Sequence, residues 1–544
     1  MSRAAAGGAV ASLRPKDHTP GRAAARAASP EAWVPSFNPW LIAAAVMTAT
    51  FMEVLDTSVA NVSLPHIAGT LSASTEEATW VLTSYLVANA VILPITGWLS
   101  SFFGRKRLLI TCIIIFTASS ALCGAATSMT MLIVARVLQG IGGGVLQPTA
   151  QAVLMESFPP AKQGMAMAIY GMGVVFAPVV GPTLGGWITD NYSWRWIFYI
   201  NVPVGIVAVL MASWFIENPP YLKRVRGSRI DYLGFGLMTL FLATFQLVLD
   251  TGQQNDWFES RQIVVLSVVS VAALVAFVVR ELTVEEPIVD LRVLANRNFG
   301  IGTLLMTVVG GVLYGTTALL PLFLQTLLGY PAVQSGLAVS PRGLGSMASM
   351  IIVGRLVGKI DSRLLMTFGF FVLAVSMYML AGVNLEIATS NIVWPNIING
   401  FAMGFIFVPL TTTATGTLSR EQMGNAAGIY SLMRNLGGGL GISAVTTLLA
   451  RGAQQHQAAI VSHLTPYDSA FQQRSQQLQG VFGSSAEGLQ KAYAAVYGVM
   501  LRQANLLAFV DNFRLLTFVC LACVPLVFLL RRVRSGGGGS AAMH

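Results

Sequence analysis

Charge is scarce in this 544-residue chain: charged residues make up 10%, against roughly 25% in an ordinary soluble domain. Hydrophobic residues make up 54%, and the mean hydropathy is +0.66. That balance argues against a soluble enzyme, a disordered chain or a fibrous one. Cysteine is also sparse. Of Cys112, Cys123, Cys520 and Cys523, the last two have redox-motif spacing. They lie in an apolar run, so they read as small packing residues. The five histidines are isolated, and none stands in a metal-binding pattern. The net charge of +10 comes without a contiguous basic surface, so nucleic acid binding is not expected. No nucleotide loop or ATPase domain is visible, and no cofactor is implied.

What is present is a series of long apolar runs. A spanning helix uses about 20 apolar residues, so fourteen would take about 280 residues, roughly half of the chain. The runs lie near 38–64, 77–100, 108–127, 129–154, 164–188, 197–216, 232–250, 262–280, 299–324, 333–356, 364–383, 391–415, 424–449 and 512–530. The expected fold is therefore an all-α integral membrane protein with fourteen spans. Basic residues mark the cytoplasmic side of such proteins. With the N-terminus inside, that side holds Arg105, Lys106, Arg107, Lys162, Lys223, Arg224, Arg226, Arg229, Arg292, Arg297, Lys359, Arg363, Arg420, Arg531, Arg532 and Arg534. The short outer loops hold only Arg195 and Arg261. Both termini are then cytoplasmic. Residues 1–37 form an N-terminal tail, and no apolar signal core follows its early arginines. Residues 531–544 form the other tail.

Residues 451–511 fall outside and are rich in glutamine. A disordered loop is one reading. Short helices near the membrane, or against an external partner, are the other.

Two turns look alike. Gly97-Trp-Leu-Ser-Ser-Phe-Phe-Gly104-Arg105-Lys106-Arg107 ends the second span, and Gly354-Arg-Leu-Val-Gly358-Lys-Ile-Asp361-Ser-Arg363 ends the tenth. Small residues allow close backbone approach, and the cations face the cytoplasmic leaflet. The correspondence implies six-helix bundles at 38–216 and 299–530, with two further spans within 217–298. Repeated bundles suit alternating access. The fifth span carries Gly171, Gly173, Pro178, Gly181, Pro182, Gly185 and Gly186. Gly181 and Gly185 share a face that another helix can approach, and the prolines remove backbone donors.

A few polar residues interrupt the apolar spans. Asp56 and Glu53 stand three residues apart in the first span, where a carboxylate is costly unless hydrated, paired or protonated. Such neighbours can titrate as a coupled pair. Arg136, Arg342 and Arg434 are cations within later spans. Arg434 and Arg342 are candidates to neutralise a substrate acid or tether a gate. Glu156 reads as a solvated helix end or a substrate-attracting mouth. A small-molecule cavity needs apolar area with a few polar handles. Candidates are Phe51, Asn61, Trp80, Tyr85, Asn89, Gln139, Gln147, Tyr170, Tyr314, Gln325 and Asn435.

These segments resemble the major facilitator superfamily, in its fourteen-span drug:proton antiporter branch, across about 38–530. Thr50-Phe-Met-Glu-Val-Leu-Asp56-Thr-Ser-Val-Ala-Asn61-Val-Ser-Leu-Pro65 is similar to the branch's first-span motif. Leu132-Ile-Val-Ala-Arg136-Val-Leu-Gln139-Gly140 is similar to the fourth-span motif, and the glycine–proline array to the antiporter signature. Trp194-Arg-Trp-Ile-Phe-Tyr-Ile-Asn201-Val-Pro203-Val-Gly205 is a further branch feature. Phe158-Pro-Pro-Ala-Lys162, Pro287-Ile-Val-Asp-Leu291, Arg297-Asn-Phe299, Pro409-Leu-Thr-Thr412 and the glycines at 536–539 resemble inner-membrane exporters of Gram-negative tripartite pumps.

The resemblance implies proton-coupled export of hydrophobic drugs, uncouplers or amphipathic weak acids from the bacterial inner membrane, with the proton as coupling ion. It also implies a periplasmic adaptor of the EmrA type and an outer-membrane channel of the TolC type. It places Arg136 facing the first span, within reach of Asp56, and supports Asp56 more than Glu53. Ser101 departs from it, standing where many members have Asp; the counterpart Asp361 is present. Fold alone does not determine function. A uniporter or importer of an amphipathic nutrient, or a lipid-interacting scaffold or sensor, is the alternative.

Overall fold

The computed structural model describes residues 35–159, 162–219, 231–419, 421–462, 464–465, 467–483 and 485–532. Expectations for Lys223, Arg224, Arg226, Arg229, Arg420, Arg534, most of the N-terminal tail and the glycines at 536–539 lie outside these residues. Among the described residues the chain is helical, with no named strand. The helices are α1 (Pro39–Val62), α2 (Leu64–Thr70), α3 (Thr75–Phe103), α4 (Arg105–Gly124), α5 (Met129–Gly143), α6 (Leu146–Ser157), α7 (Gln163–Asn191), α8 (Trp196–Tyr199) and α9 (Asn201–Phe215). They continue as α10 (Tyr232–Thr251), α11 (Arg261–Thr283), α12 (Arg297–Thr326), α13 (Ala332–Val339), α14 (Pro341–Leu356), α15 (Ser362–Leu380) and α16 (Ser390–Thr415). The last three are α17 (Met423–Val461), α18 (Ser469–Phe482) and α19 (Ala486–Val527).

Thirteen helical stretches among the described residues are long and apolar enough to cross a membrane. The chain is thus a multi-pass membrane protein. The helix at the thirteenth expected position, α17, is not among the thirteen. Its glycines, Arg434, Asn435 and glutamine-rich end lower its hydropathy. It nevertheless packs along α12, α19 and α3. The count of fourteen therefore turns on α17.

Helix pairs meet through glycine. In α7, a Cβ at Gly185 would lie 2.9 Å from Val59, and one at Gly181 would strike Ser58. The close approach has a second use. Pro182 supplies no N–H for the Pro178 carbonyl four residues earlier. The Ser58 hydroxyl donates to that carbonyl instead, at 3.1 Å. The α12–α17 pair repeats the arrangement, with Gly310 against the Arg434 carbonyl and Gly437 against the Thr307 carbonyl.

Contacts between the early and late helices run along two seams. At one, α3 meets α17: a Cβ at Gly97 would lie 2.6 Å from the Asn425 amide, and one at Gly428 the same distance from the Leu93 carbonyl. At the other, α7 meets α13 and α14. There Gly164 touches Val357, Gly343 touches Phe176 and Gly336 touches Thr183. At the first seam, α10 leans on both α3 and α17. Thr83 donates to Asp250 at 2.8 Å, and Trp257 to Thr447 at 3.1 Å.

The 451–511 segment is helical, as the second reading expected, rather than a disordered loop. α17 and α19 run straight on into it, and α18 bridges them. At 1.5 Å per residue, the 42 residues of α19 reach about 63 Å, twice the bilayer's hydrocarbon thickness. Gln457 donates to Tyr497 at 2.9 Å, His456 meets Asp511 at 2.7 Å and Phe471 stacks on Tyr493, so the extensions are zipped together. Alanine and glutamine here serve as helix formers, not as loop residues.

The glycine contacts give a paired expectation. Gly437→Ala should destabilise the protein by about 1–3 kcal/mol, because the methyl meets backbone that cannot yield. Gly498→Ala, with no neighbour within 4 Å, should be neutral or mildly stabilising. Thermal unfolding of the purified variants measures both.

Candidate functional site

The polar residues of α1 lie at the centre of the early helices. Glu53 and Asp56 are 3% and 2% exposed, and each has its own set of donors. Arg136 Nη1 pairs with Asp56 Oδ2 at 2.6 Å. Gln139 Nε2 and Asn201 Nδ2 donate to Asp56 Oδ1 at 2.9 and 2.7 Å. Arg136 is itself held by the Val81 carbonyl at 2.9 Å and by Gln139 Oε1 at 2.8 Å. Ser120 accepts from Asn201 at 3.0 Å and donates to the Phe198 carbonyl at 2.9 Å. Six helices, α1, α3, α4, α5, α8 and α9, thus contribute to the surroundings of one carboxylate.

One turn along α1, Glu53 Oε1 accepts from the Tyr85 hydroxyl at 3.0 Å and from Asn89 at 3.2 Å. Gln147 donates to Glu53 Oε2 at 2.6 Å, and the Gln147 carbonyl accepts from Arg434. Glu53, in the early helices, is therefore tied through Gln147 to a guanidinium in the late ones. The two carboxylates share no proton directly. Tyr85 connects them, because its ring lies beneath the Arg136 guanidinium, 4.3 Å from the centroid, while its hydroxyl bonds Glu53. Gly143 makes room for this arrangement: a Cβ there would lie 2.7 Å from the Tyr85 hydroxyl and 3.3 Å from Glu53 Cγ.

Tyr170 is buried and stacks on Phe407 of α16, with centroids 6.0 Å apart. Half-buried Tyr314 packs on Gly438, one turn from Arg434. Asn435 is also half-buried. Arg342 is fully buried and donates to Thr317 Oγ1 at 2.8 Å. Asn61 and Gln325 stand exposed at helix ends, away from this cluster, and Trp80 is 44% exposed. They project outward because they sit on the faces of their helices opposite the packed ones.

The two glycine turns match in backbone: Gly104 and Gly358 have φ of 82° and 93°, the left-handed region that favours glycine. Their side chains do not simply face a lipid leaflet. Arg105 pairs with buried Glu156, which is thus neither a solvated helix end nor a free mouth. Lys106 Nζ donates to the Ser213 carbonyl at 2.6 Å, closing the end of α9. Asp361 caps α15 through the Arg363 amide at 3.1 Å and pairs with Arg532 Nε at 2.5 Å. Partial burial raises the Asp361 carboxyl, but the Arg532 guanidinium and the Arg363 amide more than offset it, leaving it below the usual carboxylate range.

Sequence reasoning missed three contributors. Asn201 lay inside a quoted motif, yet nothing local pointed it at Asp56, 145 residues away. Ser120 is an unremarkable small residue. Asp250 was visible as the lone acid ending the seventh apolar run; Thr83 and Gln246 hold it at 2.8 and 2.9 Å.

Removing one member of a buried pair strands the other. Asp56→Asn should therefore destabilise the protein by about 3–5 kcal/mol, and adding Arg136→Gln should recover part of that loss. A double-mutant cycle on thermal stability checks it. For Asp361 the sign follows from its lowered pKa: its stabilisation is full above the unfolded carboxylate value, about 4, and fades as pH falls through the folded value. The melting-temperature gap between wild type and Asp361→Asn should persist at neutral pH and close in acid.

Comparison with known proteins places the chain in a family. Residues 46–442 match the family model described as Major Facilitator Superfamily. The chain is 37% identical over 503 residues to the multidrug export protein EmrB of Escherichia coli K12, covering 92% of this chain and 97% of that one. It is 41% identical over 430 residues to the Haemophilus influenzae protein of the same name, covering 79% and 84%. It is 37% identical over 494 residues to the fatty acid resistance protein FarB of Neisseria gonorrhoeae, covering 90% and 96%. Among solved structures, the human organic anion transporter MFSD10 matches with a TM-score of 0.56 at 13% identity, covering 89% of this chain and 100% of that one; it attests the fold. The chain is a member of the major facilitator superfamily, a family of secondary transporters, and is EmrB-like within it.

Proposed function

We propose that this chain is a proton-coupled multidrug exporter of the bacterial inner membrane. It moves hydrophobic drugs, uncouplers or amphipathic weak acids outward by alternating access. The observation that carries the reading is the linked carboxylate set of α1. Asp56 is held by Arg136, Gln139 and Asn201, and Glu53 is tied through Gln147 to Arg434 across the two sets of helices. A buried carboxylate can carry a proton, and its donors then lose an anionic partner. Protonation of Asp56 frees Arg136. Because Arg136 lies on the ring of Tyr85, the change reaches Glu53 one turn away. Protonation of Glu53 weakens its bond from Gln147, and with it the polar tie between the halves. Substrate arriving at the seam and protons arriving at α1 then compete for one conformational equilibrium.

The names of the bacterial relatives, multidrug export and fatty acid resistance proteins, support export rather than uptake of a nutrient. In a tripartite pump the partners are an EmrA-type adaptor and a TolC-type channel. The α17–α19 extension, with exposed Tyr467, Val481 and Tyr497, offers the adaptor a rigid surface. Both termini are then cytoplasmic, and the extension is periplasmic.

The test is drug-dependent proton flux in proteoliposomes. Asp56→Asn should reduce coupled flux by about 5- to 150-fold, the range of an ordinary coupling free energy. Glu53→Gln should impair it less if Asp56 is the principal carrier. Transport indifferent to the proton gradient in wild type overturns the mechanism, and inward-driven accumulation decides for an importer.

A further inference from the structure

The acids and bases of the membrane helices are unevenly shared. The early helices hold Glu53 and Asp56 with Arg136 among them, whereas the late helices hold the buried bases Arg342 and Arg434. From Phe299 to Thr415 the only acidic residues are Asp361 and Glu386, and both lie in connections between helices. There is none from Met423 to Leu449, nor from Asn512 to Leu530. Arg434 resolves its position by reaching Gln147, itself bonded to Glu53. Arg342 does not. It is 1% exposed, and its one hydrogen-bond partner is the hydroxyl of Thr317 on α12. Among the described residues its Nε and Nη2 have no hydrogen-bond partner, and no carboxylate lies within ion-pair distance. A buried guanidinium is retained at high cost unless an anion meets it.

The surroundings say what kind of anion. Gly343, the next residue, lies under the ring of Phe176 on α7, with Val179 beside it, at the seam between early and late helices. Thr317 stands one turn beyond Tyr314 on α12, and both are half-buried, so the hydrogen-bonded edge of Arg342 borders the less tightly packed face of that helix. The free edge, Nε with Nη2, is the pair of donors that matches the two oxygens of a carboxylate.

We propose that Arg342 is an anion-binding subsite. It takes the carboxylate, or an equivalent acidic group, of a flat or single-chain amphiphile whose apolar part lies between Phe176 and α14. Entry of the ligand parts Phe176 from Gly343, so occupancy of the subsite and separation of the α7–α14 seam are one event. Arg434, already engaged by Gln147, is not this subsite. The inference rests on the exporter reading only in treating the bound acid as cargo; the binding itself needs no proton gradient.

The experiment compares a matched pair of probes, 1-naphthaleneacetate and 1-naphthaleneacetamide, binding to the purified full chain at neutral pH, with chloride replaced by gluconate in a parallel series. Wild type should bind the acid more tightly than the amide. Arg342→Gln should weaken the acid by about 10- to 100-fold and leave the amide within about twofold, since a hydrogen-bonded charge is lost for one probe only. Arg342→Lys, which keeps the charge but not the fork, should restore part of the affinity. Thr317→Val leaves the guanidinium in place and should retain the preference for the acid. Equal weakening of both probes, or of neither, overturns the proposal, as does wild type that does not prefer the acid. Preference for the acid that appears only in gluconate assigns the site to chloride and overturns it as well. Proton-driven flux of a cationic dye, measured on the same preparations, reports separately on the exporter reading.

Discussion

Two carboxylates one turn apart on α1 set the terms for the helices around them. Neither can be buried as a bare charge, so each draws in polar groups from elsewhere in the chain. Asp56 collects an arginine, a glutamine and an asparagine; Glu53 collects a tyrosine, an asparagine and a second glutamine. These partners come from helices far apart in sequence, which must pass close to α1. Their glycines permit it. Gly140 and Gly143 let α5 press against α3 and the Glu53 pocket, as Gly181 and Gly185 let α7 press against α1. The small residues and the buried acids are two sides of one requirement.

The arrangement also makes packing and chemistry inseparable. Ser58 satisfies a carbonyl that Pro182 leaves without a donor, and it does so from the helix that carries both acids. Tyr85 serves two carboxylates through its two faces of character, an aromatic ring for Arg136 and a hydroxyl for Glu53. A change of protonation at either acid therefore alters contacts that also hold helices in register. Such coupling is what a transporter needs, since a bound proton is useful only when it changes which helices hold together.

Much of this was legible from the chain alone. The rarity of charge made Glu53, Asp56, Arg136, Arg342 and Arg434 stand out, and the apolar runs located the helices around them. The pairing of Arg136 with Asp56 came from a family motif. Other features depended on long-range geometry that no local pattern encodes. Glu156 seemed solvated until Arg105, 51 residues away, was found against it. Asn201 needed the fold to bring it to α1. Gln325 and Asn61 looked like polar handles, yet helix phase turned them outward. The glutamine-rich segment left loop and helix both open for another reason: polarity signals exposure, and an exposed helix is as polar as a loop.

The continuity of α17 and α19 beyond the apolar zone has a mechanical consequence. A helix without a break transmits rotation along its whole length. If α19 pivots near the middle of the bilayer, its far end lies about 45 Å from the pivot, taking 1.5 Å for each of roughly 30 residues. A tilt of about 10° there becomes a sweep of about 8 Å at the tip. The zipped contacts of His456 with Asp511 and Gln457 with Tyr497 would carry both helices through that sweep as one arm. Such a lever would have its short end against α12, α15 and α17 and its long end in the polar extension.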